Sequence, residues 1–527
     1  MAHIPLIIFT NFDGGNGCDA REEAPDCWEI NLHGDVIYGS WYYVKFRETA
    51  NCPREACLII KGIPQIESVI SQADRPVYQI NEDPWRPFPY DQVEVINANQ
   101  SRYFEEPIVW FWEKEKPVPP DRQRKYLTSN VHIHFRVPAK GNVRIAATYP
   151  YQYERLLELI NRLTYLKTSS KAFCQVDKIG KSEEGRAIPM ITLTDPSVPS
   201  DSKQIFLITA RHHPAMESSG SWVVEGIIDY LLSLVMGSIG ILAKWVIAFI
   251  PMINVDGVFH GNPHYNIKGI DLWMDYGEKK SPEVKAVFAT MERLKADFFV
   301  DLHGWICHHE GKPPYDGAYL DIKNSEPWDS THYQKMGSYF KKNIEGFGTR
   351  DFYESLFPNC SVGTIYWEMH TLGGTLEINP GGYTIPQVQK RGINNFLKIL
   401  ELMDKKWDGY PGPGVPNREI LCQKDLALFA WGNNYRRIRE SRVELWRKRK
   451  DIKITVEDKI HTKRIIVKST VPIERQAALR IPLRESHTFP EVRVNGKDVI
   501  QGVITQENWM FVPLFIHFEP TIVEIKE

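Results

Sequence analysis

The sequence predicts an α/β domain, with a mixed, mostly parallel sheet and helices on both faces, flanked by an N-terminal and a C-terminal all-β domain. The middle of the chain alternates short apolar runs with segments of helical period, the pattern of strands and helices laid in turn. The first 147 residues instead carry period-2 aromatic runs between Pro, Gly and Asn turns. Near the C-terminus, residues 410–416 hold three prolines in seven positions, which can continue neither a helix nor a central strand. At 527 residues the chain is also too long for a single core. The expected units are 1–147, 148–408 and 417–527.

In the first unit, residues 36–46, 108–112 and 131–137 alternate as strands do, and a sandwich is expected. Its aromatic residues suit the filling of a sandwich core better than a carbohydrate platform. In the second, residues 153–166 place Leu156, Leu159, Ile160 and Leu163 at helical spacing. A hairpin turn at 180–186 precedes a strand at 189–193. Strands at 205–209, 245–250 and 298–302 then alternate with helices at 222–232, 282–294 and 387–402. In such sheets functional loops lie beyond the carboxyl ends of the strands. The last unit offers strands at 464–467, 492–496 and 521–525, with Asn495-Gly496 as a hairpin signal.

A formal net charge of -2 provides no field to gather nucleic acid or anionic lipid. The basic stretch 435–450 is interrupted by Glu440 and Glu444 and reads as a solvated face, so no nucleic-acid partner is expected. The apolar stretch 226–252 contains Asp229 and Lys244 and fits a buried helix and strand, with no membrane partner. Residues 1–9 have neither the basic start nor the apolar length of a signal peptide. Eight scattered cysteines include no CxxC pair and demand no oxidising compartment. A cytoplasmic protein is expected, with Cys18/Cys27 and Cys52/Cys57 the pairs close enough in sequence to check for a bond.

Chemistry concentrates in two segments. The apolar run 204–209 leads into Ala210-Arg211-His212-His213-Pro214-Ala215-Met216-Glu217, and the run 298–302 ends at His303-Gly304. Two imidazoles and a carboxylate at strand ends make the protein half of a hydrolytic zinc site, with the fourth position open to water. Singly, each is ordinary: a His/Glu pair arises on helices by chance, and a histidine after an apolar strand can be a core residue. Two further segments strengthen the case. One runs from Ile250 through Asn254, Gly257 and Gly261-Asn262 to Gly269-Ile270-Asp271-Leu272; the other is Gly373-Gly374-Thr375-Leu376-Glu377-Ile378-Asn379-Pro380.

These four motifs, in this order over about residues 130 to 400, resemble the zinc metallocarboxypeptidases, and among them the cytosolic branch with an N-terminal β-sandwich. The resemblance implies one zinc per chain on His213, Glu217 and His303. It implies Glu377 as the acid/base and Asp271 as the carboxylate that holds the first ligand histidine.

Three departures bear on substrate. The family separates its first His and Glu by two residues, whereas Pro214-Ala215-Met216 makes three here. Its oxyanion arginine after Gly-Asn falls on His264, which becomes the candidate donor. Its Asp-x-Asn-Arg carboxylate clamp reads Asp271-Leu272-Trp273-Met274, and an indole and a thioether cannot grip a carboxylate. Trp273, Met274 and Arg211 are expected to line the pocket, with Lys268, Arg350 and Arg391 as other cations. Residues 305–310 add polar groups, and Tyr353 and Tyr366 lie where the family keeps a tyrosine donor. The expected reaction is hydrolysis of an amide in a peptide or peptide-like substrate by zinc-activated water, with altered recognition of the C-terminal carboxylate. The alternative is a non-catalytic zinc-containing protein that binds a glycan or a peptide.

Overall fold

The computed structural model describes residues 6–32, 41–64, 76–105, 123–170, 174–198, 203–234, 240–294, 296, 298–304, 317–319, 360–361, 372–404, 419–423, 426–429, 452–459, 462–469, 475–482, 491–499, 504–506, 509–516 and 519–526. The expected strand at 108–112, the proline-rich segment 410–416 and the basic stretch 435–450 lie outside the described residues.

The N-terminal residues form two five-stranded sheets. Strand Arg54–Pro64 buries alternate residues, and Leu58 and Ile60 meet Val44, Phe46, Val143 and Ile145 of the other sheet in one core. Period-2 patterning thus produces the β-rich region that the sequence suggests. Cys18, Cys27, Cys52 and Cys57 are free thiols, so neither sequence-adjacent pair is bonded. Register instead sets Cys27 opposite Cys57 on neighbouring strands.

The middle of the chain builds a seven-stranded sheet. Its strands are β1 (Cys174–Lys181), β2 (Ala187–Leu193), β3 (Gln204–Ala210), β4 (Trp245–Ile250), β5 (Phe298–His303), β6 (Gly317–Tyr319) and β7 (Leu372–Glu377). They lie in the order β1-β2-β4-β3-β5-β7-β6. The four central strands β4, β3, β5 and β7 run parallel, and antiparallel partners close both edges. Strands β4 and β5 are buried at every position because both faces are covered, which is why they read as unbroken apolar runs. Along β3, Phe206 and Ile208 point into one core while Ile205 and Leu207 point into the other.

Helices α1 (Tyr153–Ser170), α2 (Ser218–Leu234), α3 (Gly240–Lys244), α4 (Val255–Phe259), α5 (Pro282–Leu294) and α6 (Ile385–Asp404) supply the covers. Val223, Ile227, Phe396 and Ile399 of α2 and α6 pack the first face; Val284, Val287 and Met291 of α5 pack the second. No described helix is long and apolar enough to cross a membrane.

The N-terminal residues also hold the central unit. Asp13 accepts the first amides of α1, from Tyr153 at 3.3 Å and Glu154 at 2.7 Å. Gly14 N donates to Phe259 O at 2.8 Å, and Asn16 Nδ2 donates to Gly261 O at 3.0 Å. The C-terminal residues form two more five-stranded sheets around one apolar core. Asn495 and Gly496 there take φ of 49° and 76°, as the two-residue hairpin turn requires.

Helices α2 and α6 approach closely at glycine. A Cβ on Gly392 would stand 2.3 Å from Val223 Cγ1, so the helices would have to part. Gly392→Ala is expected to cost about 1–3 kcal/mol by overpacking, read as a lower denaturant midpoint at unchanged m-value.

Candidate metal centre

Parallel register brings the site to one end of the sheet. His303 and Glu377, the last residues of β5 and β7, are direct partners. Beyond Ala210, the last residue of β3, the chain turns through Arg211, whose φ is +66°, and delivers His213. Glu217 immediately precedes α2. The residues between them form a turn and not a helix, so the additional residue in the spacing is absorbed before α2 begins. Gly304 permits the close packing of α2 on the end of β5, since a Cβ there would meet Ser219 Oγ at 1.9 Å.

Three groups converge. His213 Nδ1 lies 2.8 Å from Glu217 Oε1, and His303 Nδ1 lies 2.7 Å from Glu217 Oε2. Ligand atoms of all three residues fall within 4.8 Å of one another, and all three are buried. The far nitrogen of each ring faces a second carboxylate: His213 Nε2 stands 3.4 Å from Asp271 Oδ1, and His303 Nε2 stands 3.0 Å from Asp301 Oδ2. Both rings therefore present the same atom, Nδ1, to the same point.

Burial favours the neutral forms, but the charges oppose it more strongly. Glu217 and Asp271 lift the His213 pKa to about 9 against its burial. The His303 and His213 rings hold Glu217 well below the usual carboxylate range, although its burial acts the other way. The rings and the carboxylate thus stabilise one another's charge, and a cation bound between them would displace the ring protons. Glu217 Oε2 is buried and completes no hydrogen bond, even with His303 Nδ1 beside it. Two imidazoles and one carboxylate fit zinc.

Asp271 also receives the backbone amide of Trp273 on Oδ1 at 3.0 Å, and its Oδ2 lies 3.2 Å from His264 Nε2. Burial would raise its pKa, but His264 and His213 hold it well below the usual range. His264 stacks on His213 with ring centroids 4.0 Å apart. When neutral it has one ring proton; given to Asp271, that proton leaves Nδ1 an acceptor. Trp273 stands edge-on to both His213 and His303, at 6.3 and 6.0 Å, and Met274 is half-buried beside it. Glu377 is buried, with 8% exposure.

Arg211, expected in the pocket, is turned inward. It is 1% exposed, and its guanidinium donates to the carbonyls of Pro214 and Tyr151. Burial depresses its pKa to about 9. The reason is local: the left-handed turn at 211 leaves the Pro214 carbonyl pointing inward, and the guanidinium satisfies it. Arg391 likewise donates to Asn379 O at 2.9 Å and lies over the Tyr383 ring, while Lys268 is exposed. Arg350, Tyr353, Tyr366 and residues 305–310 lie outside the described residues.

The sequence reading overlooked His212, Asp301, Tyr276 and Ser361. His212 Nδ1 donates to Asp301 at 2.9 Å and its Nε2 accepts from the Tyr276 hydroxyl at 2.9 Å. A signal existed for Asp301: it lies two residues before His303, hence on the same face of the strand.

Residues 159–273 match the family model described as zinc carboxypeptidase. The mouse (Mus musculus) cytosolic carboxypeptidase 3 is 30% identical over 276 residues, which is 49% of this chain and 26% of that protein. The mouse cytosolic carboxypeptidase 2 is 26% identical over 460 residues, 80% of this chain and 49% of that protein. The chain thus spans about a quarter and about half of the length of these two relatives. A metallo-carboxypeptidase from Pseudomonas aeruginosa, solved with (2-guanidinoethylmercapto)succinic acid, is similar with a TM-score of 0.55 at 20% identity, over 76% of this chain and 99% of that one. This likeness shows a carboxypeptidase-like fold.

If Arg211 serves the loop and not a substrate, Arg211→Met should destabilise the protein by about 1–3 kcal/mol through orphaned carbonyls. Thermal unfolding of the metal-free protein reads this without any substrate.

Proposed function

We propose that this chain, which carries a zinc carboxypeptidase domain, is a metal-dependent hydrolase of an amide bond in a peptide or peptide-like substrate. The observation that carries the reading is the convergence of His213 Nδ1, His303 Nδ1 and the Glu217 carboxylate, with a carboxylate behind each ring. These three residues would hold one zinc per chain. Bound zinc supplies Lewis acidity toward water and toward the scissile carbonyl.

Glu377, on the strand beside His303, takes the proton of the attacking water and returns it to the departing nitrogen. Asp271 Oδ1 stands 3.4 Å from His213 Nε2 without completing a hydrogen bond, and its charge favours the ring proton on that nitrogen, which leaves Nδ1 its lone pair. His264 remains the candidate donor to the developing oxyanion, but with its Nε2 committed to Asp271 only the imidazolium has a second N–H to give. Burial together with the neighbouring His213 ring lowers its pKa and disfavours that form. Trp273 and Met274 wall the pocket and provide no clamp for a free carboxylate. Recognition therefore differs from an ordinary C-terminal residue: the substrate is capped, internal or unusually linked, or its carboxylate is gripped by another cation. The non-catalytic binding reading gains no support from the site.

We propose the three units 1–147, 148–408 and 417–527, and a cytoplasmic setting by analogy with the names of the relatives. Purified protein is expected to hold one zinc per chain, lost to a chelator together with activity. Glu377→Gln should lower kcat by about 100- to 10,000-fold while zinc content stays at the wild-type value. A peptide library with free, amidated, esterified and γ-linked termini tests recognition. Turnover confined to ordinary free termini would remove the argument from Trp273 and Met274.

A further inference from the structure

Asp301 is fully buried in the middle of the sheet, at a position where its β5 neighbours Phe299, Val300 and Leu302 serve the core. A carboxylate there is costly unless hydrogen-bonded. Asp301 has four donors. Thr209 Oγ1 at 3.0 Å and His212 Nδ1 at 2.9 Å meet Oδ1, while His303 Nε2 at 3.0 Å and Ser361 Oγ meet Oδ2. The His212 and His303 rings lie nearly parallel, 7° apart, with the carboxylate bridging them. Both ring nitrogens of His212 are occupied, one by Asp301 and one by Tyr276, so this histidine is not available as a ligand.

We propose that Asp301 is a positioning residue for His303. It keeps the ring proton on Nε2, and His212, backed by Tyr276, holds Asp301 in place. The proposal rests on the site reading above, in which His303 binds zinc through Nδ1. A neutral imidazole carries one proton. Without an acceptor at Nε2, that proton can settle on Nδ1, facing Glu217, where it would block the metal. Asp301 thus does for His303 what Asp271 does for His213. The adjacent histidines divide the work: His213 is a ligand, and His212 anchors the carboxylate behind the other ligand.

Asp301→Asn keeps the shape and exchanges one acceptor oxygen for a donor group. Zinc affinity, measured by competition with a chelator, is expected to fall about 10- to 100-fold. Nitrogen-15 spectra of histidine-labelled, zinc-loaded protein should show the His303 ring signals shifted. Thermal unfolding of the metal-free variant separates this from a merely structural role, which would lower the midpoint without a selective loss of zinc. Affinity within twofold of wild type, where wild type binds one zinc per chain, overturns the proposal and leaves the site reading intact. Wild-type protein that binds no zinc overturns both. If Asp301→Asn does not fold, Tyr276→Phe removes only the hydroxyl behind His212. A smaller zinc loss in the same direction supports the relay, and unchanged affinity overturns it.

Discussion

The centre depends on a row of alternating imidazoles and carboxylates. From Tyr276 it passes through His212, Asp301, His303, Glu217, His213 and Asp271 to His264, with each neighbouring pair within 3.4 Å. In the low dielectric of a buried site, no member could keep its charge alone. Each carboxylate lies between two rings and each inner ring between two carboxylates, so every desolvation cost is met by two neighbours. Glu217 is the midpoint, and the two Nδ1 atoms that face it are the ones left for a cation.

The sheet makes this row possible. Strands β3 and β5 are adjacent and parallel, so Thr209 and Asp301 face each other in register and the loops beyond them open at the same edge. The same logic on β7 sets Glu377 beside His303. Rigid strands fix the inner half of the constellation, while turns at 211–217 and 271–274 supply the outer half. The turn at 271 is tightened by the very carboxylate that serves His213, because Asp271 Oδ1 also receives the Trp273 amide. Loop geometry and ligand orientation are therefore set by one side chain.

Much of this was legible in the residues themselves. Unbroken apolar runs identified the buried strands, and the ends of two of them pointed to His213 and His303, because parallel strands expose their carboxyl ends together. Glu377 ends a glycine-containing strand, Leu372–Glu377, that no apolar run marks, and only the family resemblance singled it out. Period-2 patterning identified the outer β regions, and Asn495-Gly496 its hairpin. What escaped notice depends on three-dimensional partnership. Arg211 looks like a pocket cation until the left-handed turn is seen to swing its guanidinium onto two carbonyls. His212 looks redundant beside His213 until Asp301 and Tyr276 account for both of its nitrogens. His264 reads as an oxyanion donor, but its partner at Asp271 restricts that role to the protonated ring.

The contact of residues 13–16 with the central unit has its own consequence. Asp13 supplies the missing acceptor at the start of α1, while Gly14 and Asn16 occupy carbonyls of the 259–261 turn just upstream of His264. A fragment lacking these residues would begin its first helix frayed and leave that turn without its lateral tether. Residues 13–16 are thus masonry for the proposed metal centre, and an autonomous core should be sought by replacing Asp13, Gly14 and Asn16 with other supports before anything is trimmed.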